Sequence, residues 1–97
     1  MFVVSLTYKA ELTDVDKLIE AHVAYLDEQY AKGHFLASGR KVPRTGGVIL
    51  AKVSSREELD KILEQDPFFK ADVADYEVTE FIPTKTAPEF ESLKEDA

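Results

Sequence analysis

This chain predicts an α+β fold with its elements in the order βαββαβ, on three observations. Four short segments rich in β-branched and aromatic residues alternate with two segments whose apolar residues recur every three or four positions. The two middle strand-like segments are separated only by a loop carrying Pro43 and Gly46-Gly47, which makes them an antiparallel hairpin. A length of 97 residues supplies a single core.

The first strand is Phe2-Val3-Val4-Ser5-Leu6-Thr7-Tyr8, and Lys9 to Leu12 is the turn out of it. Thr13 is placed to cap a helix, Asp14 and Asp16 suit its positive end, and Val15, Leu18, Ile19, His22, Leu26 and Tyr30 form its apolar stripe. One long amphipathic helix is expected, stopped by Gly33 as a left-handed cap after Lys32. Phe35 to Gly39 and Gly47 to Val53 are the second and third strands. Ser54 with Glu57, or Ser55 with Glu58, makes a capping box before a second helix that buries Leu59, Ile62 and Leu63. Proline pushes the residue before it out of the helical region, so Asp66-Pro67-Phe68-Phe69 is expected as a tight bend with two aromatic anchors. Tyr76 to Ile82 is the fourth strand. The folded domain spans 1–83, and 84–97 is expected as a tail, either loosely ordered or docking Phe90 and Leu93 on a partner subunit.

This order is the split βαβ arrangement of ferredoxin-like folds, an antiparallel sheet with two helices on one face. The pairs Val3-Val4, Ile49-Leu50 and Phe81-Ile82 put apolar side chains on both sides of their strands. Two helices cover one face, so a homodimer joined through the other sheet face is expected.

The composition, 44% hydrophobic and 32% charged, is that of a folded domain rather than a disordered chain. A formal net charge of −7 repels phosphate backbones and anionic lipid, so no nucleic acid and no membrane partner is expected. With no cysteine there is no disulfide and no thiolate chemistry. The start lacks a basic leader and no apolar run approaches the roughly 20 residues of a bilayer span, so a cytoplasmic protein is expected. No spacing imitates a metal motif, a phosphate loop or a GxSxG elbow, and neither a metal nor a cofactor is expected.

Two histidines remain. His34 follows Gly33 and is expected to be exposed and idle. His22 lies four residues from both Leu18 and Leu26, on the stripe that faces the sheet. Two readings stand for it: a core histidine hydrogen-bonded to a carbonyl, or a general base oriented by a carboxylate. Asp66 is the candidate carboxylate, held by Pro67 and its aromatic neighbours, and its alternative is a plain turn or cap residue. Ser38-Gly39-Arg40-Lys41-Val42-Pro43-Arg44 concentrates three cations after a strand, either to fork onto an anionic ligand or as a solvated hairpin.

A histidine inside the first helix (His22), a strand ending in Ser38-Gly39, the hairpin Pro43-Arg44-Thr45-Gly46-Gly47 and Asp66-Pro67-Phe68 after the second helix together resemble the YCII-related (YciI-like) proteins over residues 1–83. The resemblance implies a dimeric α+β barrel. It also implies a site centred on His22 and Asp66, catalytic by position, with Ser38 nearby; Gly39, Arg40 and Arg44 are the substrate-binding candidates. Many relatives carry a proline where this chain has Arg40, which alters the loop path and the charge over the site. A characterised relative eliminates HCl from a chlorinated hydroxyhydroquinone, and muconolactone isomerases share the dimeric barrel, so the resemblance implies proton abstraction from small oxygenated rings. The expected function is therefore a cofactor-independent lyase or isomerase acting on a small-molecule substrate through His22 and Asp66. The alternative is a non-catalytic homodimeric module for ligand binding or association, with haem ligation by His22 a distant third.

Overall fold

Alternation along the first strand sets the architecture. The structure, a computed structural model, describes residues 1–95. In β1 (Phe2–Tyr8), Phe2, Val4 and Leu6 are buried, Val3 and Ser5 are partly covered and Thr7 is exposed, so one face carries the core. β1 pairs antiparallel with β3 (Gly46–Ala51) and β4 (Ala74–Glu80), and β2 (Phe35–Arg40) adds to the far edge of β3. The resulting order, β2-β3-β1-β4, is that of the ferredoxin-like fold. Register puts Val4 between Ile49 and Val78, and Leu6 between Gly47 and Tyr76, so these residues share the face that packs on the helices.

The expected long helix is two helices, α1 (Leu12–Asp16) and α2 (Ile19–Ala31). Between them the turn tightens: the Leu18 N–H donates to the Val15 carbonyl at 2.9 Å, while the Lys17 N–H reaches Thr13 at only 3.4 Å. Thr13 is no cap; Glu11 takes that position without a side-chain bond. The buried residues of α2 are Tyr25 and Gln29, and Tyr30 is exposed, so the stripe is centred one position earlier than its apolar residues suggested. Gly33, with φ of +78°, ends the helix in the left-handed region.

In α3 (Arg56–Leu63) the capping residue is Ser55, whose Oγ accepts from the Glu58 N–H at 3.1 Å, and Leu59, Ile62 and Leu63 are buried. The expected bend is a one-turn helix, α4 (Pro67–Lys70). Phe68 is buried, but Phe69 is exposed and lies edge-on to Tyr76, so the segment has one core anchor instead of two.

On the open sheet face Val3 pairs with Leu50 beside Val48, an apolar centre, while Asp75, Glu77 and Thr79 make the β4 side polar. β4 ends at Glu80, so Phe81 and Ile82 fall outside the sheet and are exposed. Beyond buried Pro83 the chain passes through a 3-10 turn (Pro88–Leu93) and returns, with the Glu95 N–H donating to the Pro83 carbonyl at 2.9 Å and Lys52 Nζ donating to the Ser92 carbonyl at 3.2 Å. The last two residues of the expected tail, Asp96 and Ala97, lie outside the described residues. Among the described residues no helix is long and apolar enough to cross a membrane.

Candidate active site

Asp66 is positioned by its own backbone. Proline at the first position of α4 needs no hydrogen-bond partner, and it holds Asp66 in extended conformation (φ −66°, ψ 128°) as the helix cap. Asp66 Oδ1 accepts from the Phe68 N–H at 2.9 Å and lies 2.8 Å from His22 Nδ1; Oδ2 accepts from the Tyr76 hydroxyl at 2.6 Å. The carboxylate is 0% exposed. Burying a lone charge is strongly unfavourable, and three converging donors offset it here.

His22 projects from the middle of α2 toward the sheet. Its ring stacks on Phe68 with centroids 3.9 Å apart and planes 7° apart, and its side chain is 13% exposed. Two donors already converge on Asp66, which makes the carboxylate the acceptor from His22. Nδ1 therefore carries the proton and Nε2 presents a lone pair with no protein partner among the described residues. Burial first, and then the Asp66 charge and its hydrogen bond, push the Tyr76 hydroxyl far above the ordinary tyrosine range, so Tyr76 stays a donor. Tyr25, whose hydroxyl donates to the Ile62 carbonyl at 2.8 Å, is raised by burial and then by Asp66.

His22 forms part of the wall of a cavity of about 400 Å³ between the helices and the sheet, with Leu6, Ile19, Leu26, Ile49 and Phe68 as its apolar lining. Ser38 pairs with Ile49 and Arg40 with Gly47, so both side chains stand on the helix-covered face and line the cavity; Gly39 lines it between them. Ser38 Oγ hydrogen-bonds the Tyr30 hydroxyl. Arg44 reaches the cavity from the hairpin loop, where its Nη2 donates to Asp16 Oδ1 at 2.6 Å and its guanidinium lies 5.8 Å from the Tyr8 ring centroid. Lys41, the third cation of the loop, donates to Thr7 Oγ1 at 3.1 Å. Gly46 is what lets this loop close on β1: a Cβ there would sit 1.7 Å from the Leu6 carbonyl oxygen. The cavity thus combines an unoccupied imidazole nitrogen, an apolar body and two guanidinium groups.

The family model of the YCII-related domain matches residues 1–82. The chain belongs to that family. Among solved structures it is similar to the 5-chloro-2-hydroxyhydroquinone dehydrochlorinase of Burkholderia phenoliruptrix AC1100 in complex with 2,5-dihydroxybenzoquinone, at 22% identity and a TM-score of 0.72. That match covers 82% of this chain and 91% of the dehydrochlorinase. No curated protein sequence matches.

In this YCII-related domain the residues picked out from sequence meet in one place: His22 on Asp66, with Ser38, Gly39, Arg40 and Arg44 around the cavity that His22 enters. Tyr76, Tyr8, Tyr30 and Asp16 escaped the sequence reading. Tyr76 had one usable signal, since as a strand residue facing the helices it needs a partner for its hydroxyl. Asp16 had none, because its role depends on a loop 28 residues away. Among the described residues no cluster of His, Asp and Glu is arranged to hold a metal ion.

Proposed function

We propose that this chain is a lyase or isomerase in which His22 Nε2 takes a proton from a small oxygenated substrate. The observation that carries this reading is the hydrogen-bonded series from Tyr76 through Asp66 to His22, ending in a free lone pair on the wall of a largely apolar cavity that opens to solvent. Asp66 orients the imidazole and stabilises the imidazolium formed on proton uptake, while the Phe68 N–H and the Tyr76 hydroxyl keep donating to the carboxylate. As the proton leaves, its electron pair moves into the conjugated substrate. Either a leaving group such as chloride departs with that charge, or the imidazolium returns the proton to another atom; neither route needs an outside oxidant or reductant. Ser38 and Arg40 bind oxygen substituents, with Gly39 allowing close approach, while Arg44, held by Asp16, shapes the rim of the cavity.

The fold shared with a dehydrochlorinase that holds 2,5-dihydroxybenzoquinone supports hydroxylated six-membered rings as the first substrates to try. The half-exposed Val3, Val48 and Leu50 of the open sheet face support a homodimer formed there, and we place the protein in the cytoplasm. The test is chloride release from chlorinated hydroxyhydroquinones and absorbance change with muconolactone, in the wild type and in His22→Ala. A loss of at least about a hundredfold with the fold retained is expected. Unchanged turnover in His22→Ala would end the His22–Asp66 reading, binding without turnover in the wild type would leave a ligand-binding module in its place, and a monomer in light scattering at micromolar concentration would remove the dimer.

A further inference from the structure

The charges on the cavity wall are not equivalent. Apart from His22, the ionic side chains there are Asp16, Arg40 and Arg44. Arg44 and Asp16 neutralise each other at 2.6 Å, both partly exposed, and Arg44 also lies over the Tyr8 ring, which fixes the pair on the rim between α1 and the β2–β3 loop. Arg40 has neither a carboxylate partner nor a hydrogen bond among the described residues, although the protein as a whole is acidic by seven charges. It stands at the end of β2 opposite Gly47, which pairs in turn with Leu6, so its neighbour on β3 adds no side chain beside it, and Arg40 is exposed on the cavity wall.

We infer that Arg40 alone is the anion-binding residue of this cavity, and that the ligand is a small monoanion, a carboxylate or comparable oxyanion on a flat apolar body. The clamp of Asp16 on Arg44 contributes shape and no net charge. The inference rests on the proposed role of the His22 side of the cavity as the substrate site, and deepens it by naming the substrate class. A guanidinium fork matches two oxygens of one planar anionic group, and Arg40, with no carboxylate partner among the described residues, is free to offer it to a ligand. Of the remaining lining, Leu6, Ile19, Leu26, Ile49 and Phe68 accept an apolar ring, and Ser38 and Tyr8 add hydroxyls but no second positive charge.

The experiment is calorimetric or NMR-detected binding of benzoate, with benzamide as its uncharged counterpart, to the full chain. Benzoate is expected to bind the wild type more tightly than benzamide. Arg40→Gln lowers benzoate affinity by about tenfold or more and leaves benzamide unchanged. The double variant Asp16→Asn with Arg44→Gln removes the clamp without changing net charge, and is expected to hold benzoate within about twofold of the wild type. The assignment is overturned by benzoate affinity that survives Arg40→Gln, by an equal loss in the double variant, by benzamide binding as tightly as benzoate, or by no benzoate binding at all. His22→Ala separates the two readings. If it keeps benzoate affinity and loses turnover, both stand; if turnover persists while Arg40→Gln abolishes the benzoate preference, only the proton-transfer reading falls. If turnover is lost in His22→Ala but Arg40→Gln binds benzoate normally, only the anion assignment falls.

Discussion

The surroundings of the two histidines share a contact and differ in everything that gives it chemistry. His22 Nδ1 lies 2.8 Å from Asp66 Oδ1, and His34 Nδ1 lies 2.8 Å from Gln29 Oε1. Both partners are buried, Gln29 at 1% exposure and Asp66 at 0%. An amide oxygen orients a ring and fixes its tautomer; a carboxylate does both and also stabilises the ring when it takes up a proton. The second nitrogens differ as well. That of His34 points to the half-exposed carboxylate of Glu58 at 3.9 Å, whereas that of His22 has an apolar cavity before it. His34, expected to be idle in solvent, is an anchored structural residue that ties the end of α2 to the segment before β2. Geometry alone does not make a general base; the charge of the orienting partner and access to a cavity decide it.

The most damaging way to break this contrast is Asp66→Asn, which gives His22 the kind of partner that His34 has. Turnover is expected to fall by about two to four orders of magnitude, because the imidazolium loses its counter-charge. The amide also brings a donor into a buried site where donors already converge, at about 3 kcal/mol of stability. Paired activity assays and urea denaturation check both, and activity within a few-fold of wild type would reduce Asp66 to a helix cap. Tyr76→Phe is milder. It removes one of three donors and is expected to cost about 2 kcal/mol and about tenfold in kcat with little change in KM. It also changes the alkaline limb. The raised Tyr76 hydroxyl contributes stability that is fully present below the unfolded tyrosine value of about 10 and is lost as pH rises above it, since the unfolded chain then gives up a proton that the folded chain keeps. Stability against pH above that point should therefore fall less steeply in Tyr76→Phe than in the wild type.

How much of this was legible beforehand follows from the range of each interaction. The strands and their order were readable because β-branched runs and Gly-Pro joins are local signals, and the Asp66-Pro67 pair announced the extended backbone of Asp66, though not the helical turn after it, because proline dictates the conformation of the residue before it. The break after Asp16 was not, since no Gly or Pro marks it and the apolar spacing runs through Lys17 and Leu18 undisturbed. Gln29 and Tyr25 were passed over on α2 because a polar or mixed side chain can be buried once a distant partner is supplied, and those partners, His34 and Ile62, come from other elements. The same holds at the candidate site. His22 stood out by its position on the apolar stripe, but Tyr76 and Asp16 take their meaning from pairings 10 and 28 residues away in the chain.

Smaller substitutions sharpen the contrast from the His34 side. Gln29→Met keeps the volume but removes the acceptor for His34 Nδ1, and is expected to destabilise by about 1 kcal/mol while leaving turnover unaltered. A matching fall in kcat would show that the two histidine regions are coupled through α2.

The smallest effect is expected from Ser54→Ala. The Ser54 hydroxyl donates to the Glu58 carboxylate, and this bond, the largest influence, outweighs the opposing effect of burial and, with a backbone bond from Ser54 and the nearby His34, holds the Glu58 carboxyl below the ordinary range. A lowered carboxyl contributes stability that is present above its unfolded value of about 4.3 and is lost as pH falls through the folded one, because the unfolded chain takes up the proton first. Removing the hydroxyl should raise the Glu58 midpoint in a carboxyl-carbon NMR titration and flatten the acid-side decline. The helix cap is untouched, since Ser55 and not Ser54 accepts from the Glu58 N–H. Glu58 faces His34 and takes no part in the cavity, so turnover should not move; a changed pH profile of kcat in Ser54→Ala would show that charge at the His34 surface is felt at His22, and the separation of the two regions would fail.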